Sequence, residues 1–392
     1  MKCAAAALLV LAMASAQTPP TPDAILVAGA SPAQTPATAV VLEPLSLALA
    51  PDGALFGPAN IVYLADQQHV WRVDPAGILT AVHGPWEASS YPIVTALAAD
   101  AAGDLFVAEW ILHRIWKLTP QGAVITIAGD GEQTPDGSGA VPANSVAVVA
   151  TSLAIDGLGN IYFSSNTPRV WQVSPDGTLR PFAGSGLEGV SQPTASTPAL
   201  QYGLIYPGRL AADKAGNVYI ADASGVLGVT PDGMLRQILP GLNPVVTSLA
   251  VDGLGNLYAG LRDSRQIVSV APDGSLQALA GGEPTSLDGC TASAPGVPQA
   301  IHAALGVPSD LAADSAGNLY FAEPANGRVR KITLDGQIHT VAGGPGGSFG
   351  GDGGPAEFAE LDRPHGAVVG PDGAIYIGDT NNHRIRKVAR GA

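Results

Sequence analysis

The chain has 392 residues, 33 of them acidic against 19 Lys and Arg, for a formal net charge of −14. With 46% hydrophobic residues, 49 Gly and 33 Pro, it is too apolar for a disordered chain and too rich in turn formers for a helical one, so many short strands are expected. A surface this acidic repels phosphate backbones and anionic lipid, which argues against nucleic acid as a partner.

In chain order, residues 1–16 read first, as a secretory signal. Lys2 supplies the charged start, residues 4–12 the apolar core and Ala14-Ser15-Ala16 a small-residue cleavage site. The apolar run falls short of the roughly 20 residues a membrane span needs. The expectation is a secreted or periplasmic protein without a membrane span, its residues 17–392 forming one domain. Cleavage leaves Cys290 as the sole cysteine, so no intrachain disulfide can form, and Cys290 reads as a small buried apolar residue.

The mature chain then repeats one unit. The glycine that ends the unit's first turn falls at Gly53, Gly103, Gly159, Gly216, Gly255, Gly317 and Gly373. A short apolar strand precedes each, as in ATSLAID and GRLAAD. A second strand follows, as in NIYFSS and NVYIAD, and then a third, as in RVWQV and RIRKV. Another Gly turn, such as Ser174-Pro175-Asp176-Gly177, leads to a fourth strand of the type AVITIAG. Three strands recur seven times but the fourth only six, and its missing copy stands near the start, at residues 23–29 (DAILVAG). Four antiparallel strands repeated radially make an all-β propeller. The expectation is seven blades, with six as the alternative, and an N-terminal strand closing the last blade.

The last unit carries a family resemblance. Its GDGGPAEFAEL, RPHG, PDGAIYIGDT and NNHRIRKV segments resemble NHL repeats, and the likeness extends over residues 24–390. NHL propellers usually have six blades, so seven copies depart from the family's habit. The resemblance implies a secreted, bacterial-type NHL propeller. It also brings related enzymes into view, namely calcium-dependent gluconolactonase-like hydrolases and zinc-dependent amidating lyases. The first would hold the ion with a Glu, an Asn and an Asp. Glu43 and Asp310 are the nearest counterparts, and no Asn matches. The second needs several His in the mouth ring, where only His365 stands.

In this strand order, fourth-to-first connections share a face with the hairpins between second and third strands, and the Gly turns lie opposite. The connections are long and uneven, at residues 130–148, 185–206, 282–307 and 344–363, and such loops are where binding tends to reside. The Gly-rich run 343–354 lacks the Gly-Lys-Ser/Thr ending of a phosphate loop. Residues just before each first strand should ring the channel mouth, and the ionisable ones there are Arg209, Asp310 and His365. One His and one Asp do not make a zinc site, which needs three protein ligands. The ring's Ser and Thr hydroxyls are expected to satisfy backbone groups.

Asp66, Glu109, Asp222, Glu323 and Asp379 end second strands in five units. A calcium ring would want six to eight oxygens. Their recurrence fits better an acceptor that caps its own hairpin. Trp71, Trp116 and Trp171 share a third-strand position and read as packing between blades. The basic runs 328–331 and 383–387 are expected to pair with local acids. The functional expectation is a non-enzymatic binding module for a protein, peptide or carbohydrate, without cofactor. The alternative is a metal-dependent hydrolase or lyase using Ca²⁺ or Zn²⁺.

Overall fold

The computed structural model describes the backbone of the strands Ala24–Ala28, Thr35–Pro36, Ser46–Leu47, Val62–Ala65, Val70–Val73 and Ile78–Val82. From Val94 to Ala389 it also describes side chains, apart from residues 101, 121, 130–138, 190–196, 241–244, 272–274, 282–298, 315–316, 345–349, 370–373, 383 and the side chain of Pro240. The signal reading, Glu43, Asp66, the Trp71 side chain and Cys290 therefore lie outside the described residues.

One local device makes the first turn of four blades. In Asp156-Gly157-Leu158-Gly159-Asn160, Asp156 Oδ1 accepts from the N–H groups of Leu158 and Asn160, each at 2.9 Å. Its Oδ2 accepts from Asn160 Nδ2 at 2.8 Å and from the Tyr162 hydroxyl at 2.9 Å. Gly159 takes the positive φ of 80° that closes the turn. The same Asp–Asn clasp recurs at Asp213–Asn217, Asp252–Asn256 and Asp314–Asn318. A side chain that bonds its own turn so completely fixes where each hairpin reverses.

The strands pair into antiparallel sheets arranged by blade. Inner strands Val94–Ala99, Ala150–Ile155, Leu210–Ala212, Val246–Val251, Ser309–Ala313 and Pro364–Val369 stand side by side around an axis. Each is followed outward by its second and third strands. Ala24–Ala28 lies antiparallel to Arg384–Val388, with Ala24 opposite Val388 and Leu26 opposite Arg386. Apolar clusters fill the gaps between neighbouring blades. One joins Phe106 and Ile115 to Leu153, Phe163 and Trp171, and another joins Tyr162 to Leu210 and Ile220. Each blade thus buries its faces on the next.

The expectation of a seven-bladed propeller with four strands per blade is corrected here: among the residues described with side chains the ring has six blades, spanning residues 94–388. The strands of residues 35–82 pair in a further sheet described by backbone alone, with Ser46–Leu47 beside both Val94–Ala99 and Pro364–Val369. Nor are the sheets uniform, because three have five strands. Val141–Pro142, Thr197–Pro198 and Thr35–Pro36 each add to the outer edge of the blade that follows. The cause is the path of the connection. It crosses the next blade's open outer edge, where an extended segment pairs freely and a Pro, lacking an N–H, is tolerated.

A buried Ala in the connections, preceded by Pro142, Pro198 or Gln299, stitches neighbours together. Ala143 N–H donates to Gly177 O at 2.8 Å and its carbonyl accepts from Gly129 N–H at 2.8 Å. Ala199 bridges Gly233 and Gly184, and Ala300 bridges Gly336 and Gly281, in the same way. All three alanines are fully buried.

Candidate functional site at the channel mouth

The inner strands enclose a channel of about 270 Å³. Small and aliphatic residues make most of its wall, among them Ala96, Ala154, Ala211, Ala250 and Ala312. The ionisable side chains among its described lining are Arg209, Asp310 and His365. The structure therefore brings together the three residues singled out from the sequence. Arg209 stands just before Leu210–Ala212, while Asp310 and His365 are the second residues of their inner strands. Arg209 and His365 are exposed and Asp310 is half-buried.

Their electrostatics are those of a narrow mouth. Loss of solvation among the crowded walls pushes the Asp310 carboxyl up to about 6, against the opposing pull of Arg209. The His365 imidazole is held below its usual range by the same desolvation, then by the like charges of Arg363 and Arg209. Neither Asp310 nor His365 bonds Arg209 directly among the described residues. Asp310 has φ +43°, a left-handed conformation that Asp adopts more readily than most residues.

Three hydroxyls of the ring serve the backbone, whereas the Ser248 hydroxyl is buried without a hydrogen-bond partner among the described residues. Thr95 donates to Ala150 O at 2.6 Å, Ser309 to His365 O at 3.3 Å, and Thr247 to Pro308 O. Each bond runs from one blade to the next, so the mouth is tied circumferentially.

The carboxylates that end second strands do something the sequence reading did not anticipate. Asp222 accepts the Ile205 N–H at 2.6 Å, Glu323 the Gly306 N–H at 2.6 Å and Asp379 the Asp362 N–H at 2.7 Å. All three carboxylates are buried. They also reach their own hairpins, through Ser224, Arg328 and Asn382 respectively, but their shared partner is the incoming connection. The signal was legible as a repeated Leu-x-x-Pro at 204–207, 305–308 and 361–364. In each copy the Leu is buried and the next residue gives its N–H to the carboxylate. In two of the copies the residue before the Pro, Tyr206 (φ +52°) and Arg363 (φ +46°), is exposed on left-handed backbone. Glu109 is fully buried, and burial pushes its carboxyl up to about 7 while Trp116 and Arg114 oppose the shift.

Trp116 and Trp171 are buried packing residues, Trp171 within the cluster that joins two blades. In the last two blades an Arg occupies the same third-strand position. Arg386, 1% exposed, donates to Glu360 O at 2.7 Å, Gly350 O at 2.9 Å and Asp352 at 2.6 Å. It thereby anchors the described part of the Gly-rich run. Lys331 and Lys387 lie over the rings of Tyr320 and Tyr376. These described members of the basic runs thus find partners within the fold.

Comparison with known proteins bears on the kind of repeat. The Teneurin NHL domain model matches residues 247–389. Residues 247–389 of this β-propeller carry repeats of NHL type. The chain is 26% identical over 393 residues to teneurin-3 of Mus musculus, covering 89% of this chain and 12% of that protein. Teneurin-1 of Homo sapiens is 33% identical over 104 residues, 23% of this chain and 4% of that one. The chain therefore spans about an eighth of the length of the curated relatives it matches most fully. Those relatives are animal proteins, which gives the bacterial and periplasmic setting no support. Among solved structures, a streptogramin B lyase superposes with TM-score 0.58 at 15% identity, covering 88% of this chain and 92% of its own. A catalytically inactive virginiamycin B lyase from Staphylococcus aureus with quinupristin gives 0.57 at 13%, covering 89% and 96%. At these identities the likeness is one of fold. No helix among the described residues is long and apolar enough to cross a membrane.

Proposed function

We propose that this NHL propeller is a secreted interaction module that binds a protein partner through its inter-blade connections. One observation carries the reading: the connections are pinned yet display apolar side chains. Buried carboxylates and Arg386 hold their backbones, while Leu187, Tyr206 and Phe358 are 72–75% exposed. Large apolar groups on rigid loops bind without paying much ordering entropy. The likeness to the NHL domain of teneurins supports the same reading.

The test is a pair of triple variants. L187S/Y206S/F358S alters the connections, and L158S/L254S/L334S alters equally exposed leucines in the Gly turns. Capture of a partner from extracellular protein should be lost in the first and kept in the second, with melting unchanged in both. Loss in the second alone would overturn the assignment of the binding side.

A second reading, a hydrolase or lyase working at the mouth, draws on His365 in the channel and on the fold shared with the two lyases. The described residues contain no group of three or more His, Cys, Asp or Glu placed to hold a metal. Ca²⁺ or Zn²⁺ would therefore need Glu43 beside Asp310, or ligands beyond the described set. Elemental analysis of purified protein, repeated on Asp310→Asn and His365→Ala, decides it. One tightly held ion per chain, lost in either variant, favours the enzyme.

A further inference from the structure

We propose that the channel mouth binds a small zwitterion, its carboxylate on Arg209 and His365 and its ammonium on Asp310. The site is separate from the connections argued above and stands or falls independently of them.

Three observations lead there. First, the channel holds opposite charges on its described wall and little else that is ionisable. Second, the fold keeps those charges apart. Arg209 and Asp310 belong to inner strands separated by the strand Val246–Val251, and no salt bridge joins them among the described residues. Arg209 nevertheless acts through space on Asp310, and on His365 as well. A guanidinium and a carboxylate that face one cavity without touching are matched by a ligand carrying the reverse pair. A simple anion would be repelled by Asp310, and a simple cation by Arg209 and by Arg363, which flanks His365. Third, the inner strands turn a free edge to the channel. Their second strands occupy one side only, so backbone carbonyls and N–H groups remain for the ligand's further hydrogen bonds. The cavity volume limits the ligand to a small molecule. Asp310 is held in a left-handed conformation, which is the kind of local cost found where a side chain is placed for binding.

The charge spacing of the ligand is read out by experiment. Calorimetric titration of the whole protein with glycine, β-alanine and 5-aminovalerate, at millimolar concentrations and neutral pH, tests three separations. Acetate and ethylamine serve as single-charge controls. One zwitterion should bind at least about tenfold more tightly than either control. Arg209→Gln and Asp310→Asn should each weaken it by about tenfold or more, as expected for a lost charged hydrogen bond. The His365 ring resonances should shift on binding in the parent protein. Equal binding of acetate, unaffected by Asp310→Asn, would overturn the proposal, and so would no saturable binding of any of the three. Because Leu187, Tyr206 and Phe358 lie outside the channel lining, L187S/Y206S/F358S should still bind the zwitterion. Loss of one binding function with retention of the other tells which proposal failed.

Discussion

Ile205 gives its N–H to the carboxylate of Asp222 at 2.6 Å, and the two residues come from opposite ends of one blade's path. Ile205 belongs to the connection arriving from the preceding blade, and Asp222 ends the second strand of the blade it enters. The bond sets where the chain turns into the inner strand, and hence where Arg209 emerges. Glu323 and Asp379 repeat it for Asp310 and His365. The mouth is therefore placed by buried acids that never touch it.

Removing one anchor should be costly. Asp222→Ala leaves the N–H groups of Ile205 and Ser224 and the Ser224 hydroxyl without their acceptor. The expected loss is about 2–3 kcal/mol, read from the denaturant midpoint at constant slope. Asp222→Asn keeps an acceptor and should lose less than half as much.

Two glycines with nearly the same φ should respond differently. Gly177 (φ +81°) faces open space, whereas a Cβ on Gly184 (φ +93°) would lie 2.3 Å from Pro168 O. Gly177→Ala should cost about 1 kcal/mol from backbone strain alone. Gly184→Ala must also move a neighbouring hairpin and should cost several times more. Equal melting temperatures for the two would contradict the close approach of hairpin and connection.

The pH dependence of Asp310 follows from its raised pKa. The folded protein binds this proton more tightly than the unfolded chain, so the stabilisation is complete below about 3.8 and is lost as pH rises through about 6. Asp310→Asn removes the cost of the charged form. It should melt higher than the parent above pH 6, by an equivalent of about 1–3 kcal/mol, and match it near pH 4. Thermal melts across that range measure the difference.

Arg386 should prove structural. Arg386→Met deletes three bonds to the connection at Gly350, Asp352 and Glu360 and leaves the buried Asp379 without its nearby cation. A loss of about 3–5 kcal/mol is expected. Hydrogen exchange should speed up first at residues 350–360.

Closure gives the last test. Deleting residues 18–29 removes the strand that pairs with Arg384–Val388. The truncated protein should still fold but melt well below the parent, with the edge at Arg384–Val388 exchanging fastest. An unchanged melting temperature would mean that this pairing adds nothing to the ring.

The amino-acid sequence by itself determined the repeating unit, because the turns are local chemistry. Asp156, Gly159 and Asn160 close their turn with bonds spanning four residues or fewer, and such bonds are visible as a spaced motif. It also pointed to Arg209, Asp310 and His365, since the position before an inner strand recurs in register. What it left out was decided by contacts over longer stretches of chain. The fifth strand at Val141–Pro142 arises because a connection crosses the next blade's open edge, and nothing local in a Val-Pro step says which edge it will meet. The acids at the ends of second strands looked like hairpin caps, because their shared partner lies 17 residues earlier in the chain. Blade uniformity failed for the same reason: pairing across blades depends on how far each connection travels outward, and only the folded ring fixes that distance.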